Sequence, residues 1–549
     1  VSIEAPTVKG LFWGTRSLLQ ILYNQQGKLP KGTARDFPKF SSRGFMLDVA
    51  RKFFTLDYLK QYVKILSFYK MNEFQIHLND NGFPQFFNND WKMTYAAFRL
   101  ESERFPGLTA KDGSYTKQEF SNLQRMGMSY GVNVIPEIDI PAHSLAFTHY
   151  KPEIGSKEYG MDHLDLYKDE TYHFLDTLFD EYLSGEHPIF IGPDVHIGTD
   201  EYNKKEAEQY RYFTDRYLKY IEKYGKNPRM WGGLKWLPGK TPVKAGGVTV
   251  NAWSYDWIDP EASLKEGYQL INTCDTYLYI VPGAGYYREF LDHKWIYESW
   301  SPWLMNSKQT LSEGTPGVLG GMFAVWNDMC GNGISEQDVH LRSFPAIQVL
   351  AEKLWKGDNK IVSYESFEAL CRIMPEAPGV NLLARIPKEM CLTPLGKVCL
   401  LSGTDTIRTA LQEVGYPYVV SFKIYPDKDT NINGILFEGP HSKVYTNWEN
   451  TGRIAFSRDG YTFVFGSYCL PKGKWTDICI SGDYKGTSLY VNGKLQERLE
   501  GRKMKVYCKK NKRMDYMPYQ ETLIFPLRWI GNPLNGFKGK IQNVTCVQK

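Results

Sequence analysis

Residues 44–78 read GFMLDVARKFFTLDYLKQYVKILSFYKMNEFQIHL, and their pattern decides the fold. The stretch opens on a short, nearly continuous apolar run at 44–49 and closes on a strand-like run at 73–78, where Phe74, Ile76 and Leu78 alternate with polar residues. Between them, residues 56–71 place Leu59, Val63, Leu66 and Tyr69 at helical spacing behind Thr55, a side chain suited to capping a helix N-terminus. Strand, helix and strand of this composition make a βαβ unit. Strands apolar on both faces belong to a parallel sheet covered by helices.

The pattern repeats outward. Strand-like runs recur at 132–138, 194–198, 229–232, 248–253, 269–273 and 321–326, and helical periodicity at 116–130, 170–183 and 205–224. Eight β/α units predict an α/β protein built on a (β/α)8 TIM barrel. An open doubly wound sheet is the alternative, but no Gly-x-Gly-x-x-Gly opens any of the helices. Pro375, Pro378, Pro387 and Pro394 mark residues 358–400 as a linker. From 401 to 549 short alternating strands and turns, with a hairpin turn at Asn492-Gly493, predict an antiparallel β-sandwich.

Composition narrows the partners. A net charge of +5 over 549 residues, with no basic run interleaved with aromatics, excludes nucleic acid. The sequence has no apolar stretch of about 18 residues, so no membrane span is expected. The nine cysteines show neither Cys-x-x-Cys nor zinc spacing, so no metal is expected, and one or two disulfides fit among the later ones without an assignable pairing. The 14 Trp and 37 Tyr suit stacking on sugar rings as well as a large core.

In a barrel, residues just past the strand C-termini build the site. Those positions hold Asp48 and Arg51; His77 and Asp80; Glu137, Asp139 and His143; His196, Asp200 and Glu201; Trp231; Trp253; Asp275, Tyr277 and Tyr279; Trp326 and Asp328. Carboxylates and indoles gathered at one end are what a sugar pocket needs. The sharpest local feature is Asp200-Glu201. Neighbours on extended chain point to opposite sides, so the two carboxylates divide their work rather than act on one atom. The bland alternative is that they favour the dipole of the following helix.

These stretches resemble the family 20 glycoside hydrolases, the β-N-acetylhexosaminidases. Arg43-Gly-Phe-Met-Leu-Asp-Val-Ala-Arg51, Phe74-Gln-Ile-His-Leu-Asn-Asp80 and Ile135-Pro-Glu-Ile-Asp-Ile-Pro-Ala-His143 are similar to the family's first three barrel strands. His196-Ile-Gly-Thr-Asp-Glu201 is similar to its catalytic His-x-Gly-x-Asp-Glu. The resemblance implies a retaining, exo-acting β-N-acetylhexosaminidase in which the substrate's acetamido oxygen is the nucleophile. That mechanism follows from the resemblance alone. It makes Glu201 the acid/base, Asp200 the group that orients the acetamido group, and Tyr277 a hydrogen-bond donor to it. Trp231, Trp253 and Trp326 would line the pocket and Arg43 would bind hydroxyls. Asp80, His143 and His196 would support the catalytic groups. No organic cofactor is implied, and the partner is an oligosaccharide or glycoconjugate.

Two positions depart from the family pattern: Tyr279 stands where an Asp is common, and Asp328 where a Glu is common. Both bear on recognition at O4 and O6, where a 6-O-sulfated sugar is an expected substrate. Residues 97–102 and 141–147 look closer to the lacto-N-biosidase and sulfoglycosidase branches, which act on milk-type and mucin-type glycans. Residues 1–28 resemble the remnant of a leading α+β domain, 29–357 the catalytic barrel, and 401–549 a laminin-G or concanavalin-like module. A secreted, periplasmic or cell-surface location is expected. The competing readings are release of a disaccharide, a glycosidase with its own nucleophile, and a catalytically inactive glycan-binding protein.

Overall fold

The computed structural model describes residues 1–358, 361–458, 460–501, 503–508 and 513–548. The chain divides into two compact units, the first including Val1–Cys330 and Arg342–Val380 and the second including Gly331–Leu341, Asn381–Val506 and Tyr516–Lys549. The division at Val380 falls inside the stretch read as a linker, and part of that stretch, Tyr364–Ile373, is a helix.

The first unit is a closed parallel barrel of β1 Ser42–Asp48, β2 Glu73–His77, β3 Asn133–Ile140, β4 Asp194–Gly198, β5 Asn227–Trp231, β6 Thr249–Ala252, β7 Gln269–Asn272 and β8 Val318–Val325. Closure comes from β1 pairing with β8 in parallel, Ser42 opposite Gly320 through Leu47 opposite Val325. Every residue of β1, β2 and β4 is buried, the polar Gln75, His77 and His196 included, as expected of strands covered on both faces.

Local chemistry starts the helices where the sequence indicates. The Thr55 side chain accepts from the Tyr58 amide to cap Leu56–Phe68, and Thr116 with Glu119 forms a capping box at Lys117–Ser129. Helices Asp169–Leu183 and Ala207–Lys223 follow β3 and β4. The expectation of eight complete β/α units is corrected at one place: residues 232–248, between β5 and β6, form no helix. Pro238 and Pro242, with Gly239, Gly246 and Gly247, deny that segment the continuous hydrogen bonding a helix needs.

The second unit carries two main antiparallel sheets, one of seven strands and one of six. In Tyr418–Pro426 buried residues alternate with partly exposed or exposed ones. Val420, Phe422 and Ile424 share a core with Leu436, Val444 and Phe456 of the other sheet. The eight cysteines among the described residues are free thiols, which corrects the expectation of disulfides there; Cys508 lies outside the described side chains. Among the described residues no helix is long and apolar enough to cross a membrane.

Candidate active site

β4 ends at Gly198, and the chain then passes through left-handed backbone at Gly198 (φ 70), Thr199 (φ 76) and Glu201 (φ 51). For a β-branched residue such as Thr199 this conformation is costly. It is held from both sides: the Thr199 amide donates to the Ile140 carbonyl at 2.9 Å, and its own carbonyl accepts from the Tyr210 hydroxyl. The turn leaves two neighbouring carboxylates in different settings. Asp200 is only 8% exposed, whereas half of the Glu201 side chain is open to solvent (50%). Gly198 has no room for a side chain, because a Cβ there would lie 1.7 Å from Asp139 Oδ1.

Glu201 begins a relay of alternating imidazoles and carboxylates. Its Oε2 stands 3.2 Å from His143 Nε2. His143 Nδ1 is 2.9 Å from Asp80 Oδ1, Asp80 Oδ2 is 2.7 Å from His77 Nε2, and His77 Nδ1 is 3.1 Å from Glu137 Oε1. Glu137 closes the relay by accepting from Trp231 Nε1 at 2.6 Å and Gln75 Nε2 at 2.7 Å.

Charge follows from this geometry. Burial disfavours a charged ring at His143, but Asp80, Asp139 and Asp200 outweigh it and raise the pKa well above 6.5. Burial also opposes charge at His77, where Glu137 and Asp80 prevail in the same direction. Both rings are therefore imidazolium near neutral pH. Burial works against an ionised Glu201 too, yet the hydrogen bond and charge of His143 hold that carboxyl below its usual value. Glu137 is pulled down to about 2, its burial overcome by His77 and His196.

Asp200 behaves differently. Burial, joined by repulsion from Glu201 and Glu137, lifts it to about 6 against the pull of His143. Asp139, with neither carboxylate oxygen hydrogen-bonded among the described residues, is raised well above the ordinary range by burial and by Asp200. Donor atoms of Asp139, His143 and Asp200 lie within 4.8 Å of one another, as do those of His77, Glu137 and Asp139. These are the groups with metal-ligand spacing.

Aromatic rings cluster near Asp200. Trp253, Trp326, Tyr279 and Val281 belong to one buried cluster, with Tyr287 and Trp257 partly buried against it. Tyr279 lies 5.8 Å from Trp326 and 5.5 Å from Tyr287. Its hydroxyl is raised first by burial, with the Asp200 charge adding to the effect. Trp231 is a support rather than a wall, since it is wholly buried and holds Glu137 through its indole N–H. His196, pushed down to about 4 by burial, is neutral. It packs 5.2 Å from Trp231 and accepts the Gly198 amide at 3.0 Å, so it shapes the turn that carries Asp200.

Two of the sequence-based assignments are corrected. Arg43 sits near the N-terminal end of β1, where its guanidinium donates to the Lys70 and Phe40 carbonyls at 2.7 Å each. That is roughly 16 Å along the strand from Asp48. Arg51, just beyond the other end, occupies the mouth: its Nη1 lies 2.8 Å from Asp80 Oδ2, 3.1 Å from Asp48 Oδ2 and 3.4 Å from Asp328 Oδ1. Asp328 also accepts from the Tyr286 hydroxyl at 2.7 Å. Tyr277 stacks on Trp295 at 4.5 Å, and it is Tyr279 that joins the aromatic hollow. The helical turn Asp275–Leu278 separates the two tyrosines, which a continuous strand would have placed on one face.

Arg51, His77, Glu137 and Asp139 stand among the strand-end positions of the sequence, but the family resemblance assigns them no role. Arg51 and His77 lie at or just past the ends of β1 and β2, and Glu137 and Asp139 in the C-terminal half of β3. Tyr286 and Tyr287 come from a loop with no such marker.

A family model described as glycosyl hydrolase family 20, catalytic domain, matches residues 40–358, more than half of the chain. A β-hexosaminidase of Akkermansia muciniphila is 29% identical over 315 residues, 50% of this chain and 60% of that protein. A lacto-N-biosidase of Bifidobacterium bifidum is 22% identical over 391 residues, 66% of this chain and 32% of that protein. The chain therefore spans less than two thirds of either relative. A solved β-N-acetylhexosaminidase from Streptomyces coelicolor aligns with a TM-score of 0.52 at 22% identity, over 66% of this chain and 76% of that one, a likeness of fold.

Proposed function

Because the chain belongs to glycosyl hydrolase family 20, we propose that it removes a terminal β-linked N-acetylhexosamine from the non-reducing end of a glycan, with retention at C1 and with the sugar's own acetamido oxygen as nucleophile. The observation that carries this reading is the division between buried Asp200, beside the aromatic hollow, and half-exposed Glu201 on the same turn. Glycosidases that use a pair of enzyme carboxylates set them on two sides of the scissile bond. Adjacent carboxylates on a tight turn suit a different allocation.

In that allocation the acetamido group enters the hollow of Trp253, Trp326 and Tyr279. Asp200 accepts its N–H and turns its carbonyl oxygen toward C1, and the Tyr279 hydroxyl donates to that oxygen. As the oxygen bonds to C1, the C1–O bond to the leaving saccharide breaks, and Glu201 delivers a proton to the departing oxygen. Asp200 stabilises the cyclic oxazolinium ion. Glu201, now a carboxylate, takes a proton from water as that water attacks C1 and reopens the ring.

The resting charges support a stored proton. Glu201 starts ionised and His143 starts protonated. A docked glycan covers Glu201 and removes water from it, which favours its neutral form, and His143 Nε2 lies 3.2 Å away to supply the proton. The acetamido N–H favours the ionised form of Asp200.

For the finer substrate, a 6-O-sulfated N-acetylglucosamine of mucin-type glycans fits the mouth. Arg51 neutralises part of Asp328, which lessens the repulsion a sulfate would meet there. The same reading places the enzyme outside the cytoplasm, where such glycans are exposed. The test is hydrolysis of aryl, 6-sulfated and galactosylated N-acetylglucosaminides with analysis of the products. A monosaccharide product and inhibition by a thiazoline mimic of the oxazolinium ion support the proposal. A released disaccharide redirects it to lacto-N-biosidase activity. Azide rescue of Asp200→Ala argues for an enzyme-borne nucleophile, and failure to hydrolyse any of them leaves a glycan-binding protein.

A further inference from the structure

The loops beyond β4, β5, β6 and β7 carry a basic and aromatic patch that the reaction at C1 does not use. Lys204 Nζ lies 3.2 Å from the Trp236 ring centre. Trp236 packs on Trp257 at 4.9 Å, and Trp257 stacks on Trp253 of the hollow at 5.4 Å. Beside this column, Lys235 and Lys308 lie 3.5 and 4.5 Å from the ring centre of Tyr255. The Lys235 amide donates to the Trp257 carbonyl at 3.1 Å, which ties the two groups together.

All three lysines are exposed, and among the described residues none has a carboxylate within 4.0 Å. Asp256 and Asp259 are the acids of the loop after β6, and the Asp259 carboxylate is taken up in capping the helix Pro260–Glu266. Lys235 Nζ also donates to the Tyr255 carbonyl, but ammonium groups on aromatic faces with no carboxylate partner keep their net positive charge. The patch is also placed with respect to the reaction. Lys204 is three residues beyond Glu201, so the two lie within about 11 Å of each other along the chain. The saccharide that leaves does so on the Glu201 side.

We propose that this patch binds the leaving saccharide and selects one bearing an anionic group, a sulfate ester or a carboxylate. The apolar face of its ring meets Trp257 and Tyr255, and the lysines leave the aromatic faces to pair with the anion. This rests on Glu201 being the proton donor.

Binding is tested without turnover. The affinity of the wild-type chain is measured by titration calorimetry for a neutral galactose-containing saccharide, its 6-sulfate and its uronic acid counterpart, and again for the triple variant Lys204→Ala, Lys235→Ala, Lys308→Ala. The unfolding midpoint serves as a folding control, and a Lys→Gln triple variant replaces the alanine one if that midpoint falls. Each contact of one charged pair is expected to favour the anionic saccharide by about 10-fold, a preference lost in the triple variant and at about 1 M salt. A preference confined to sulfate or to carboxylate identifies the source of the anion. Equal affinity for neutral and anionic saccharides, or a preference that survives in the triple variant, overturns the proposal. A chain that binds the anionic saccharide but leaves aryl N-acetylglucosaminide intact instead locates the failure in the hydrolase reading.

Discussion

His143 Nε2 stands 3.2 Å from Glu201 Oε2, while its Nδ1 is held 2.9 Å from Asp80. The imidazole is thus fixed at one end by a buried carboxylate and faces the solvent-accessible acid with the other. It makes the pair, rather than either residue, the unit that titrates.

That coupling predicts the pH profile. The wild-type pair keeps its proton until His143 loses it, and His143 is raised well above 6.5 by Asp80, Asp139 and Asp200 against the effect of burial. In His143→Ala only the carboxyl remains to hold the proton. The alkaline limb of kcat/KM is expected to move to lower pH, with the maximum rate falling about 100-fold. An unmoved alkaline limb on an aryl N-acetylglucosaminide contradicts a stored proton.

Asp200 trades stability for its place in the hollow. Burial raises its pKa from 3.8 to about 6, so folding favours its protonated form. That contribution is fully present below the unfolded value near 3.8 and is lost as pH rises through 6. Asp200→Asn is therefore expected to be inactive yet more stable at pH 8, by about 1–3 kcal/mol, with the difference shrinking toward pH 4. Urea unfolding at the two pH values measures this, and a variant less stable than wild type at pH 8 refutes it.

The two arginines flanking β1 separate chemistry from support. Arg51→Lys keeps the charge but loses the Nη1 that meets Asp48, Asp80 and Asp328 together with the Nε–H bond to the Asn81 carbonyl, and kcat/KM is expected to fall about 100-fold. Arg43→Lys loses bonds to the Lys70 and Phe40 carbonyls and is expected to cost about 1–3 kcal/mol of stability. Reversal of this pattern in kinetics and melting would restore Arg43 to the site.

Tyr279→Phe removes the hydroxyl beside Asp200 and is expected to lower kcat about 10- to 100-fold, whereas Tyr277→Phe leaves the stack on Trp295 intact and changes kcat little. Steady-state rates of the two variants decide between the tyrosines.

Gly198→Ala puts a Cβ 1.7 Å from Asp139 Oδ1 at a φ of 70. Backbone strain and collision together are expected to destabilise the barrel by about 2–4 kcal/mol and to disorder the Asp200–Glu201 turn. Equal melting and equal activity to wild type would show that the turn relaxes freely.

Sequence alone determined the barrel and singled out the Asp200–Glu201 turn. A strand such as β1 writes itself as an apolar run because both faces are covered, and β4 was read with its observed limits, Asp194–Gly198. What it could not determine was which polar groups meet. The packed barrel shows Arg43, near the start of β1, bound to the Lys70 carbonyl, and Arg51, past its end, against Asp80. Tyr277 and Tyr279 share a strand-like spacing until a single helical turn at Asp275–Leu278 parts them. The relay from Glu201 to Glu137 draws on three strands and their loops, and the lysine patch on several more. Such groups meet through tertiary closure, because charge and hydrogen bonding act over a few ångströms of space whatever the distance along the chain.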